Sequence, residues 1–96
     1  MPHEERTFTI DVDVLAEPPV VTVAGEVDEA ETEELRTTLV GLLSLGHAEV
    51  EVDLGGVERL DPGVRAAFSD VWSRGMVIYL CNPPPAMHDV LHLEAS

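Results

Sequence analysis

Few of the 96 residues have the type and spacing that chemistry needs. His88 and His92 stand four apart, which would put two imidazoles on one helix face, a spacing that zinc sites use. The glutamate of an HExxH pair is missing, so both are expected to face solvent. Glu49, Glu51 and Asp53 alternate with apolar residues, so their carboxylates line one strand face. A straight row of that kind, without loop carbonyls, does not build a cage for a hard cation. Gly55-Gly56 lacks the Lys-Ser/Thr of a phosphate-binding loop, and no GxGxxG is present. Cys81 is the only cysteine and lies in an apolar run, where an inert core thiol is expected. It excludes an intramolecular disulfide and an all-cysteine zinc site. No serine or histidine falls in a nucleophile motif, so the chain is expected not to be an enzyme and to use no cofactor or metal.

Charge is the strongest compositional signal. Nineteen acids face five arginines and no lysine, for a formal charge of −14. A nucleic-acid backbone or an anionic membrane surface would repel such a chain, so neither is an expected partner. Residues 1–61 hold 16 acids and three arginines, whereas residues 62–96 hold three acids and two arginines, so the second part is nearly neutral. Excess Asp and Glu also confer solubility, whatever the protein does. With 45% hydrophobic and 25% charged residues in 96, the expectation is a single globular domain spanning residues 1–96. No run approaches the 18 apolar residues of a membrane-spanning helix, and the N-terminus lacks the basic and apolar regions of a secretory signal. A cytoplasmic location is expected.

The elements that must position these residues follow from periodicity. Phe8, Ile10, Val12 and Val14 alternate with polar residues, as in a strand with one buried face. Pro18-Pro19 interrupts any ladder, and Val20-Val21-Thr22-Val23-Ala24 resumes it, predicting a hairpin of the first two strands. Asp28 and Glu31 match a capping box, and Leu35, Leu39, Leu42 and Leu43 form one helical stripe ended by Gly46. The acids Glu29, Glu31, Glu33 and Glu34 then sit in the opening turns, where they complement the helix dipole. Val50, Val52 and Leu54 predict a third strand, followed by a connection over residues 55–60.

Asp61-Pro62-Gly63 reads as the start of a second helix, with Asp61 as N-cap and Pro62 in the first helical position. Its apolar stripe is Val64, Ala67, Phe68, Val71 and Trp72, its outer face carries Arg65, Ser69 and Ser73, and Gly75 ends it. Residues 76–81 are apolar on both faces, as in an inner parallel strand, and residues 86–93 predict a short third helix. Trp72 and Tyr79 are expected to pack rather than bind. The pattern β, β-α, β-α, β-α implies an α/β fold: a mixed, mainly parallel four-stranded sheet with three helices and right-handed crossovers.

The order of these elements and several local motifs resemble the STAS domain of bacterial anti-sigma-factor antagonists. The resemblance runs from about residue 7 to residue 93. It rests on Val21-Thr22-Val23-Ala24-Gly25-Glu26-Val27-Asp28, similar to the family's strand ending Gly-Glu-Leu-Asp. It rests also on the stretch from Val50 through Asp53-Leu54 to Asp61. In that family the Asp is followed by two hydroxyl residues and Gly, and the second hydroxyl is phosphorylated by an anti-sigma kinase to break the complex. Here Asp61-Pro62-Gly63 is one residue shorter and keeps no hydroxyl between Asp and Gly, so no phosphorylation is expected at the family position. Ser69, two turns further on, is no substitute by geometry.

The resemblance implies a non-enzymatic protein–protein interaction module that regulates transcription through a protein partner such as an anti-sigma factor kinase. Its docking surface would comprise Asp28, Asp61, Pro62, Gly63, Val64, Arg65 and Ser69. Family members usually continue with another strand and a terminal helix, which this chain is expected to lack. The strand at residues 76–81 would then be a sheet edge and a place for a homodimer or heteromer to form. The alternative is a structural STAS subunit of a larger assembly such as a lipid-transport complex. A third possibility is a small-molecule sensor on the sheet face opposite the helices, where Tyr79 would lie.

Overall fold

The computed structural model describes residues 8–82. Six elements follow one another: β1 (Phe8–Asp13), β2 (Val20–Val27), α1 (Glu29–Ser44), β3 (Glu49–Leu60), α2 (Gly63–Ser73) and β4 (Val77–Cys81). They form one four-stranded sheet in the order β1-β2-β3-β4, with β1 antiparallel to β2 and the other pairs parallel. The mixed α/β sheet matches expectation. Among the described residues there are two helices where the sequence predicts three, and the expected third, residues 86–93, lies outside the described residues.

Strand alternation decides which side chains meet the helices. Val21, Val23 and Val27 of β2 and Val50, Val52 and Leu54 of β3 are buried with Leu35, Leu39 and Leu42 of α1 and Val64, Phe68 and Val71 of α2. Both helices therefore cover the same sheet face, and each fully buried Val or Leu contributes about 1.5–3 kcal/mol by leaving water. Their outer turns are joined by Arg36, whose Nη1 lies 3.1 Å from Asp70 Oδ2, while Arg74 Nε lies 3.4 Å from Asp70 Oδ1. Arg36 also donates to Glu33 at 2.7 Å, and that bond holds the Glu33 carboxyl below its ordinary range.

The opposite sheet face carries the acids. Register places Asp11, Thr22, Asp53 and Cys81 in one cross-strand row and Asp13, Val20, Glu51 and Tyr79 in the next. The three carboxylates Glu49, Glu51 and Asp53 share that face, as expected.

Three sequence expectations change. Residues 55–60 are not a connection: β3 runs unbroken to Leu60, with register shifts against β2 beside Thr22/Ala24 and Gly25/Glu26. Bulges let the strand continue where a regular ladder would not, and a Cβ on Gly56 would stand 2.8 Å from Ala24 Cβ, so the strands approach there because Gly56 has none. β4 is not an inner strand among the described residues, because it ends the sheet and leaves Val77 and Tyr79 exposed. Trp72 does not join the core: it is 63% exposed, because its position lies past the edge of the stripe formed by Val64, Ala67, Phe68 and Val71.

Candidate functional site

Val27 and Leu60 are register partners, so β2 and β3 end side by side, and a helix begins just beyond each. At the end of β2, Asp28 starts α1 through a closed capping box. Its backbone N–H donates to Glu31 Oε1 at 3.1 Å, and its side chain receives the Glu31 N–H. Thr32, the one buried polar residue of that turn, donates its hydroxyl to the Asp28 carbonyl at 2.8 Å. One orphan donor of the helix start, the Glu31 N–H, is thereby met from within the chain.

At the end of β3, the Asp61 N–H donates to the Val27 carbonyl at 2.8 Å, tying the second helix start to the first. The Asp61 carboxylate turns back to accept the Gly63 N–H at 2.9 Å. Pro62 already has helical angles, φ −57° and ψ −23°, and regular α2 is counted from Gly63. The N-cap of α2 is therefore Pro62 and not Asp61 as expected, one residue later because Asp61 and Pro62 form the turn before the regular helix. The Asp61 carboxylate still accepts the first N–H of α2, and Pro62 has no N–H to leave unpaired. The crowding is specific, since a Cβ on Gly63 would fall 2.6 Å from Asp61 Oδ2.

Of the residues expected to meet a partner, Pro62, Gly63 and Arg65 are exposed, and Asp28, Asp61 and Ser69 are half-buried. Val64 is completely buried among core residues and drops out of the docking surface, because its stripe position faces the sheet. The sequence reading missed two residues. Arg59 and Trp72 are both exposed, the first two residues before Asp61 and the second at the far end of α2. Helical spacing carried the signal for Trp72, which lies seven residues from Arg65 and three from Ser69.

The four arginines among the described residues divide into two pairs. Arg36 and Arg74 both bind Asp70, whereas Arg59 and Arg65 form no salt bridge among the described residues. The loop at Asp61 is therefore flanked by two arginines that have no ion-pair partner among the described residues. No group of histidine, cysteine or carboxylate side chains among the described residues is arranged to hold a metal ion. His88 and His92 lie outside the described residues.

Cys81 differs from its expected place in the core. It is half-buried on the acidic sheet face, where its thiol donates to Glu51 Oε2 at 2.8 Å. That hydrogen bond, with partial desolvation and the charges of Glu51 and Asp53, pushes the thiol up to about 11. A thiol so held stays protonated at neutral pH and is a poor nucleophile.

Paired helix starts beside two adjacent parallel strands, with an Asp-led turn into α2, are the arrangement that the sequence motifs imply. Residues 5–94 match the family model described as Mlab, STAS domain. The chain belongs to the STAS domain family. Among solved structures it is similar to the Bacillus cell fate determinant SpoIIAA in its phosphorylated form. The TM-score is 0.69 at 16% sequence identity, over 90% of this chain and 83% of that one. At that identity the likeness is one of fold. No curated protein matches the chain. As a STAS domain it keeps the Asp at the start of α2 but has no hydroxyl residue between Asp61 and Gly63. No helix among the described residues is long and apolar enough to cross a membrane.

Proposed function

We propose that this STAS domain is a non-enzymatic, cytoplasmic interaction module of the anti-sigma-factor antagonist kind, which regulates transcription by docking a protein partner and does so without a phosphorylation switch. The observation that carries this is the turn at Asp61. Its carboxylate occupies the start of α2 and accepts the Gly63 N–H at 2.9 Å. A phosphate added there would be a local change of charge and hydrogen bonding, and this turn instead has a constant carboxylate and a proline. Docking then uses Asp61, Pro62, Gly63 and Arg65, with Ser69 and the Asp28 helix start beside them. The partner meets Arg65 with a carboxylate. An anti-sigma factor kinase is the kind of partner proposed.

Capture of the tagged chain's partners from its native cytosol, with mass spectrometry of the intact bait, tests this. An anti-sigma kinase-like protein recovered with unmodified bait, and lost with Arg65→Glu or Asp61→Ala, is the expected result. Capture unchanged by both substitutions would move the interface elsewhere, and a phosphorylated bait would contradict the missing switch.

One observation favours a second use of the same fold, as a structural STAS subunit of a larger assembly such as a lipid-transport complex. β4 ends the sheet among the described residues and exposes Val77 and Tyr79, an apolar edge that a neighbouring subunit could cover. Recovery of scaffold or transporter subunits in the same capture, sensitive to Tyr79→Ser and not to Arg65→Glu, would favour it.

A further inference from the structure

Trp72 is the only tryptophan in the chain and the residue stands 63% exposed. It lies two turns along α2 from Arg65, with Ser69 on the same stripe between them. Around the helix this stripe is nearly opposite Asp70, which faces α1 through Arg36. Asp70 is the only acid within α2 and is paired with two arginines, so the stripe from Arg65 to Trp72 carries no carboxylate of its own; Asp61, four residues before Arg65, turns its carboxylate back onto the Gly63 N–H at 2.9 Å.

We propose that this stripe is the contact between two copies of the chain. The two α2 helices would pack antiparallel about a two-fold axis passing between Phe68 and Ser69, so that each Arg65 guanidinium lies over the Trp72 ring of the other copy. A two-fold contact requires a surface that complements itself, residue i meeting j while j meets i. Arg65, without an ion pair among the described residues, and the exposed Trp72 stand equally far from that axis and so meet the requirement, and the two attract as a cation–π pair.

Charge selects this surface over the others. Two chains of −14 repel, and least where the surfaces that meet carry few acids. The β1 edge carries Asp11 and Asp13, the β4 edge lies beside Glu49 and Glu51, and α1 opens with Glu29, Glu31, Glu33 and Glu34. One face of an 11-residue helix is smaller than the roughly 800 Å² per partner of a standard interface, so the dimer is weak. It would cover the Arg65 end of the docking surface proposed above, so that partner and second copy compete. That consequence rests on the proposed function. The dimer itself is tested on the chain alone, so the failure of one is distinguishable from the failure of the other.

Sedimentation equilibrium of the full chain, from about 10 µM to about 1 mM, spans the range of a small interface. The expected mass rises from one chain toward two, and more steeply at about 0.5 M salt than at about 0.1 M, because salt screens the repulsion between the acidic bodies. Over the same range Trp72 emission moves to the blue as the ring leaves water. Trp72→Ala and Arg65→Ala each weaken association by about tenfold or more, and Arg65→Lys retains part of it. Both positions are exposed, so folding is preserved, and circular dichroism checks it. Should Trp72→Ala not fold, Arg65→Ala tests the same contact. A one-chain mass throughout would overturn the proposal. So would a dimer indifferent to both substitutions and abolished by Tyr79→Ser.

Discussion

Asp61 and Gly63 are coupled through space as well as along the chain: the Asp61 carboxylate accepts the Gly63 N–H at 2.9 Å and lies 2.6 Å from where a Gly63 Cβ would stand. The bond and the bare glycine are therefore one feature. Asp61→Ala removes that acceptor and should cost about 1 kcal/mol. Gly63→Ala should destabilise the wild-type chain by displacing the carboxylate, but should be neutral or stabilising in the Asp61→Ala background, where alanine's helix propensity is no longer opposed. A double-mutant cycle by urea denaturation measures this non-additivity. Additive effects would show that the close approach does not matter.

The bulged part of β3 should be as sensitive to one methyl group. Gly56→Ala would place its Cβ 2.8 Å from Ala24 Cβ, against backbone that cannot swing aside. A loss of about 1–3 kcal/mol is expected, as for an overpacked core position. Ala24→Gly in the same chain should restore most of it. If thermal unfolding shows no recovery in the double variant, the cost lies in the Gly56 backbone instead.

The thiol of Cys81 should resist alkylation at neutral pH. Its pKa is raised from 9.0 to about 11, chiefly by donating to Glu51. A group whose folded pKa is raised contributes stability below its unfolded value and loses it as pH rises through the folded value. That contribution to stability should therefore decline between pH 9 and about pH 11. Iodoacetamide labelling should be slow at pH 8 and rise towards pH 11. Glu51→Gln should shift that rise to lower pH. A labelling profile centred near 9 in the wild-type chain would contradict the hydrogen bond.

The clamp between the helices is electrostatic and exposed, so its effect should be small and salt-dependent. Asp70→Asn removes the negative charge that both Arg36 and Arg74 pair with. A lower urea midpoint at low salt is expected, with the difference from wild type vanishing at about 1 M salt, where the Debye length is about 3 Å. The Glu33 carboxyl, held below its ordinary 4.5 by Arg36, contributes stability above that value and loses it as pH falls through its lowered folded value. A midpoint difference that persists at high salt would show that Asp70 acts by packing.

Much of the fold was legible in the sequence because its signals are local. Alternation marked β1, β2 and the first part of β3, and Leu35, Leu39 and Leu42 marked the buried face of α1. The capping box at Asp28 and the ends at Gly46 and Gly75, with φ of 101° and 107°, depend on backbone and nearest neighbours alone. The same locality made the turn at Asp61 legible as the start of α2 and showed that no hydroxyl stands between Asp61 and Gly63.

Tertiary structure decided what depends on which surface meets which. Val64 and Trp72 both read as stripe residues, but the side of α2 that meets the sheet, Val64, Ala67, Phe68 and Val71, takes in the first and leaves the second exposed. Residues 55–60 read as a connection because glycines usually interrupt strands, yet pairing with β2 keeps them in the ladder and lets Gly56 meet Ala24. Cys81 reads as a core residue from its apolar neighbours, and only the β3–β4 register, setting it next to Asp53 on the acidic face, gives its thiol Glu51 as acceptor. Sequence thus determined the elements and their caps, where the interacting groups lie within a few residues. The sheet and the helix packing determined exposure, pairing and charge environment, because those interactions join residues about thirty positions apart, as Cys81 and Glu51 are.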